Sequence, residues 1–323
     1  MAIDYVALGD SYAAGAGAGD PGPDNPCLRS RGAYPVQVAA ALGVDLAMQA
    51  CQGATVADVV AGQLGPLAPG VTLVTVTAGG NDLGFAHVLT ECAKPAWMGD
   101  SDPVIDAALT VLREDVPRRL ADLYDRVRRA APDARLVVAG YPRLFAGEDC
   151  NLLTFFSDHE MTRLNDAADE LAGVIGAAAE QAGAEFVDVR TVFEGHAVCQ
   201  TPEWIRGVSH PIEVSFHPTT AGHDAYARLV LERLGRPEVP EPAREPRVVQ
   251  GAPTGARTRF ELPDLLGEES LHGARRSGLD PDEVAALARA APDDDAARQR
   301  LADLDAHVRS RGTPPGLTRP VHP

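Results

Sequence analysis

The strongest constraint in this sequence is an alternation. Short apolar runs at 4–10 ("DYVALGD"), 71–80 ("VTLVTVTAGG"), 134–142 ("ARLVVAGYP") and 184–190 ("AEFVDVR") are separated by stretches of helical character. Such near-continuous apolar runs mark strands buried on both faces. The stretches at 33–43, 104–131, 158–182 and 219–235 read as helices, with Pro117 breaking the second and Gly235 closing the last. Strands that alternate with helices build a parallel sheet with helices on both faces, an α/β architecture. Ligands of such sheets gather beyond the carboxyl ends of the strands. Two sequences fall there: "GDSYAAGAGAGD" at 9–20 and "GGND" at 79–82.

Beyond Gly235 the character changes. "RPEVPEPAREP" is rich in proline and charge, and polar sequence poor in aromatics continues to about 278. Residues 279–312 then read as two short helices. Asp280, Pro281 and Glu283 mark the first start, and Asp293–Asp295 place negative charge at the second. The expected division is a catalytic domain over 1–235, then a Pro/charge-rich linker and short helical tail over 236–323, a partly disordered appendage. Residues 236–323 hold 15 acids and 13 arginines and are nearly balanced, so most of the net charge of −17 belongs to the first 235 residues.

That charge bounds the partners. A surface of this sign repels phosphate backbones and anionic lipid, which argues against nucleic acid. Lys94 is the only lysine, and no basic amphipathic stretch suggests a membrane anchor. No run approaches the roughly 18 apolar residues of a bilayer span. The start "MAIDYVALGD" enters a strand at once, so a secretory leader is expected to have been removed or never present.

Cys27, Cys51, Cys92, Cys150 and Cys199 form no CxxC pair, and no His/Cys cluster has zinc spacing, which argues against a structural metal. On composition alone they read as buried thiols of a cytoplasmic protein. Their odd number leaves at least one thiol free, or pairs it between molecules.

The first loop satisfies GxGxxG at Gly17, Gly19 and Gly22, the pattern of a dinucleotide cradle. It fails the context test. Pro21, Pro23 and Pro26 follow where a helix must begin, and Asp20 and Asp24 oppose a phosphate. The alternative is acyl transfer, which needs a nucleophile, a base and donors aimed at a developing oxyanion. Ser11 in "GDSY", Gly53 in "QGAT", Asn81 in "GGND" and His217 in "SFHPTTAGHDAYA" make a complete set. Singly, each has a plainer role as turn, cap or loop residue. Together and in this order they carry the reading.

With these residues the sequence resembles the SGNH, or GDSL, hydrolase superfamily, whose four named residues match Ser11, Gly53, Asn81 and His217. It is most similar to the secreted actinobacterial lipase, esterase and phospholipase A1 branch, through "YVALGDSYAAG", "RSRGAYP", "ACQGATVADV", "TLVTVTAGGNDLGFA", "GYPRLF", "RLNDAADEL" and "SFHPTTAGHDAY". The resemblance spans roughly 3–235 and leaves out the tail. It implies a flavodoxin-like three-layer α/β/α sandwich, with Ser11 as nucleophile and His217 as general base. The oxyanion hole would be the N–H groups of Ser11 and Gly53 with the Asn81 amide. It implies no metal or organic cofactor, and a lipid-like or acyl ester as substrate.

One position departs from the pattern. Many relatives carry an Asp three residues before the histidine, where this chain has Val214. The expectation is therefore a Ser–His dyad, its imidazole held by a main-chain carbonyl near Val214 or Ser215; Glu213 is the nearest acid, one position off. The resemblance also implies Cys27–Cys51 and Cys150–Cys199 bridges, with Cys92 a free thiol, and hence a secreted protein. Two other readings stand beside this one: a carbohydrate or small-acyl esterase of the same superfamily, and a non-catalytic binding module using the helical tail.

Overall fold

The computed structural model describes residues 3–19, 25–236, 245–256 and 258–312. Parts of the loop at 20–24 (Asp20, Gly22 and Asp24 among them) and of the proline-rich linker lie outside the described residues.

Six strands form one parallel sheet: β1 Tyr5–Gly9, β2 Leu46–Met48, β3 Leu73–Thr77, β4 Arg135–Ala139, β5 Glu185–Val187 and β6 Val248–Gln250, in the order β5-β4-β3-β1-β2-β6. The central β1 and β3 are buried at every residue. Two threonines in β3 have lost water and are satisfied locally: Thr75 bonds the Tyr5 hydroxyl at 2.8 Å and Thr77 the Tyr34 hydroxyl at 2.9 Å.

The strand order fixes the layers. From β1 to β2 the chain steps one way across the sheet, and from β2 through β3, β4 and β5 it steps the other way. Right-handed crossovers therefore put α2 (Tyr34–Leu42) on one face and α3 (Val56–Gly62), α6 (Val116–Ala130) and α7 (Asp158–Gln181) on the other. α8 (Thr220–Arg233) packs beside α2, and α5 (Asp102–Glu114) beside α6 and α7. The result is the expected α/β/α sandwich. Its direction reverses between β1 and β3, the switch point at which open α/β sheets hold ligands.

Local chemistry explains the boundaries. Thr55 with Asp58 and Ser157 with Glu160 form capping boxes that start α3 and α7. The helical region expected over 104–131 is two helices that part at Asp115, in keeping with the break expected at Pro117, which sits in the first turn of α6, where its missing N–H costs nothing. Strands β2 and β6, three residues each, have no counterpart in the sequence reading. Such short segments display no period.

The described residues of the tail are built into the fold. β6 pairs with β2, and three helices follow: α9 (Glu268–Arg276), α10 (Pro281–Ala290) and α11 (Asp295–Arg311). The last two start where the acidic caps place them, at Asp280 and Asp294; α9 is additional. These helices build a second apolar cluster around Trp97 and Phe155, using Leu265, Ala274, Val284, Leu301, Leu304 and Val308. Trp97 is fully buried there, and its indole N–H donates to the Ser270 hydroxyl at 3.1 Å. The Ala96 N–H donates to the Asp305 carboxylate at 2.6 Å.

Cys27 is bonded to Cys51 and Cys150 to Cys199, whereas Cys92 is buried as a thiol. The all-thiol alternative is thereby overturned.

Candidate active site

The site assembles where β1 and β3 end. Asp10 caps the four-residue α1 (Ser11–Ala14), accepting the Tyr12 N–H at 2.9 Å, so Ser11 opens a helix at the tip of β1. Its hydroxyl lies 2.8 Å from His217 Nε2. His217 Nδ1 lies 2.8 Å from the Ser215 carbonyl oxygen, which only accepts, so the proton sits on Nδ1 and Nε2 faces the Ser11 hydroxyl as an acceptor. Burial pushes the imidazole down to about 4, against the lifting effect of the Ser215 and Val214 backbone. At neutral pH the ring is uncharged, the form that removes a proton.

Among the described residues no carboxylate stands behind the ring. Val214 is a buried side chain, and Glu213 turns away to pair with Arg259 at 3.3 Å. Of the three residues considered for orienting His217, Ser215 makes the contact through its backbone, and the Glu213 carboxylate does not.

Asn81 opens a short turn after β3 and donates from Nδ2 to the Ala54 carbonyl at 3.1 Å, which ties it to the Gly53 turn. A primary amide has a second N–H, leaving one for a ligand. Among the described residues the backbone N–H groups of Ser11 and Gly53 have no hydrogen-bond partner. Gly53 has a φ of +73°, and a Cβ there would lie 1.8 Å from the Ala256 carbonyl oxygen. Only glycine fits.

Several supports went unread in the sequence. Asp82 accepts from the Val56 N–H at 2.9 Å and from Arg119 at 3.0 Å, clamping the Asn81 turn to the start of α3. The Tyr141 hydroxyl donates to Asp10 at 2.5 Å and accepts the Gly80 N–H at 3.2 Å, bridging the tips of β1 and β3. Burial lifts the Asp10 carboxyl to about 7, opposed by the Tyr141 hydroxyl and the Tyr12 and Ala13 N–H groups. The Tyr12 hydroxyl donates to the Phe216 carbonyl at 2.8 Å, a brace parallel to the Ser11–His217 contact. The glycine-rich loop serves the same end: a Cβ on Gly17 would lie 2.5 Å from the Pro218 carbonyl, so the loop packs on the histidine segment.

Two clefts meet at Ser11. One, about 820 Å³ with its mouth included, is walled by apolar side chains including Leu83, Phe85, Val88, Ile105, Leu109 and Leu171. The other, about 360 Å³ counted in the same way, is bounded by His217, Gly53, Gln52 and Glu213 and by Thr258, Arg259 and Phe260 from the tail. Ser11 and Asn81 border both, and His217 only the second.

The profile of the GDSL-like lipase/acylhydrolase family matches residues 7–225, a span that holds all four of these site residues. The chain belongs to this family. It is a carboxylic-ester hydrolase. A lipase of Streptomyces rimosus is 39% identical over 227 residues, covering 69% of this chain and 83% of that one. Lipase 1 of Streptomyces coelicolor is 40% identical over 222 residues, covering 68% and 81%. Two crystal structures, of the extracellular lipase of S. rimosus and of phospholipase A1 of Streptomyces albidoflavus, each align at a TM-score of 0.66 with 36% identity, covering 72% of this chain and 99% of theirs. The hydrolase reading is thus favoured over the non-catalytic module.

Proposed function

We propose that Ser11 and His217 act as a dyad. His217 Nε2 takes the Ser11 proton as the hydroxyl attacks the ester carbonyl. The resulting oxyanion is held by the N–H groups of Ser11 and Gly53 and by the Asn81 amide. His217 then returns the proton to the departing alcohol, leaving an acyl-enzyme on Ser11. Water activated by His217 releases the acid. The Ser215 carbonyl fixes the ring tautomer in place of a carboxylate. The observation that carries this reading is the relay from the Ser215 oxygen through His217 to Ser11, with both contacts at 2.8 Å.

The substrate we propose is a lipid-like ester whose acyl chain lies in the apolar cleft. The dense aliphatic lining of that cleft favours a hydrocarbon chain over the sugar of a carbohydrate esterase. We read residues 1–235 as the hydrolase unit and 236–323 as linker and helical extension. We also place the protein outside the cell, a view supported by the two disulfides and by the extracellular lipase among its structural relatives. A fluorophosphonate probe followed by peptide mapping, together with a chromogenic ester panel from acetate to palmitate, tests the proposal. Labelling of Ser11 and a preference for longer acyl chains are the expected results. Labelling elsewhere removes the dyad, and a preference for acetate removes the lipid-like substrate.

A further inference from the structure

Microscopic geometry separates the two clefts by role. The leaving alcohol must take its proton from His217, so it lies in the cleft that His217 borders. The acyl chain is then left with the apolar cleft, which His217 does not reach. The alcohol cleft is not made by the family region alone, because three of its lining residues, Thr258, Arg259 and Phe260, lie beyond the family match that ends at residue 225.

The described residues of this segment are stitched to the catalytic loops at several points. Buried Arg29 donates to the carbonyl oxygens of Gly251 at 2.6 Å and Ala252 at 3.4 Å, and also to those of Ala50 and Gln49. Fully buried Gln63 bonds both backbone polar groups of Gly9, at 2.7 and 2.9 Å, and the Thr254 hydroxyl at 2.9 Å. The Ala256 carbonyl sits against Gly53. Gln52 donates to the Thr258 carbonyl at 3.3 Å. Phe260 packs edge-on against Phe216, the residue before His217, with centroids 4.9 Å apart. The Glu261 N–H donates to the Thr90 hydroxyl at 2.9 Å. Such a segment, held by buried polar bonds on both sides of the site, is a fixed wall rather than a lid.

We propose that this segment sets specificity for the alcohol half of the ester, with Phe260 limiting its length and Arg259 and Gln52 bonding its hydroxyls. The ligand class is a short, hydroxyl-bearing alcohol of glycerol size. Arg259 stands between Glu213 at 3.3 Å and Glu261 at 3.6 Å, which together outweigh its charge, so an anionic alcohol gains nothing there. The inference rests on His217 being the proton donor to the leaving group.

The test uses the full chain and two ester series. In one, butanoate is fixed and the alcohol is glycerol or one of the series methanol, butanol and octanol. In the other, methanol is fixed and the acyl chain grows from butanoate to decanoate. In the native enzyme kcat/KM should fall at least ~10-fold from the glycerol to the octyl ester, the scale of discrimination by a shaped pocket. Phe260→Ala should cut that fall to about threefold by accepting the octyl group, and Arg259→Ala should do so by weakening the glycerol ester, with ratios across the acyl series moving less than about twofold in both. Because the Arg259 side chain is half exposed, its variant keeps the fold should Phe260→Ala lose it. Parallel shifts in both series, or no shift in either, overturn the wall as a specificity element. His217→Ala run on the same panel separates the premises: if it retains activity, the proton-donor reading fails and the inference with it. If it is inactive while the two tail variants match the native ratios, only the wall fails.

Discussion

The two polar surfaces that meet at Ser11 were built by different means. The relay from Ser215 to Ser11 uses short contacts between segments that each follow a strand or open a helix, and its residues lie within the family match. The wall at Thr258–Phe260 is irregular chain, held by bonds to backbone carbonyls and to a glutamine in the core. In the function we propose, the first arrangement performs the chemistry and tolerates little change. The second, in the same proposal, shapes what reaches it. Catalytic power and selectivity are thus assigned to parts of the molecule that differ in position, order and means of support.

Breaking the relay gives the largest effect. Ser11→Ala or His217→Ala should each lower kcat by roughly 10⁶, the scale seen when a serine nucleophile or its histidine is removed, as read in a steady-state ester assay. A loss below a hundredfold would sink the dyad. Asn81→Ala removes one oxyanion donor and should cost about 10²–10³ in kcat with KM little changed. The same variant also loses the Ala54 tie, so a KM rise matching the kcat loss would mean that Asn81 holds the Gly53 turn rather than the transition state.

The pH profile sharpens the contrast next. Protonated His217 accepts nothing from Ser11, so activity is present above its folded-state pKa and lost as pH falls through about 4. An ordinary histidine would impose that limb near ~6.5. The acid limb of kcat/KM is the measurement, and a limb at the ordinary position would show that the ring is solvated in solution. Trp97→Ala tests the extension instead. It should free the α9–α11 layer at a cost of about 3–5 kcal/mol, seen as faster proteolysis and amide exchange within 268–312. Turnover of a methyl ester should stay within about threefold, because the wall is anchored separately at Arg29 and Gln63. Glu213→Gln should do least. It breaks a partly exposed ion pair and leaves the Ser215 carbonyl in place, so methyl-ester turnover should move less than about threefold. A loss as large as that of His217→Ala would restore the triad.

How much of this was legible follows the range of the interactions. β1, β3 and β4 announce themselves because buried parallel strands read as apolar runs, and α7 because Ser157 and Glu160 box its start. Ser11, Gly53, Asn81 and His217 could be picked out because the chemistry demands those side chains beside strand ends. The Ser215 carbonyl was narrowed to a neighbourhood and no further, since any residue supplies a carbonyl. Arg29 and Tyr141 lie in blocks that carry the resemblance yet showed no role there, and Gln63 left no signal, because their roles are bonds to backbone far away in the chain. The tail shows the same limit: Asp280 and Asp294 cap helices that local chemistry reveals, yet nothing near them states that the layer will dock on Trp97.

The pairing of β6 with β2 carries a consequence for assembly. Leu46 lies in register with Val248, so β2 becomes an interior strand only when residues made well after the relay are in place, and β6 is then the border. Until they emerge, the nascent molecule presents Leu46–Met48 as an unpaired border able to recruit a strand from another copy. A chain stopped just after α8 would carry the whole relay and still be left with that adhesive border. The extension covers β2 and leaves the three-residue β6 as the border of the sheet.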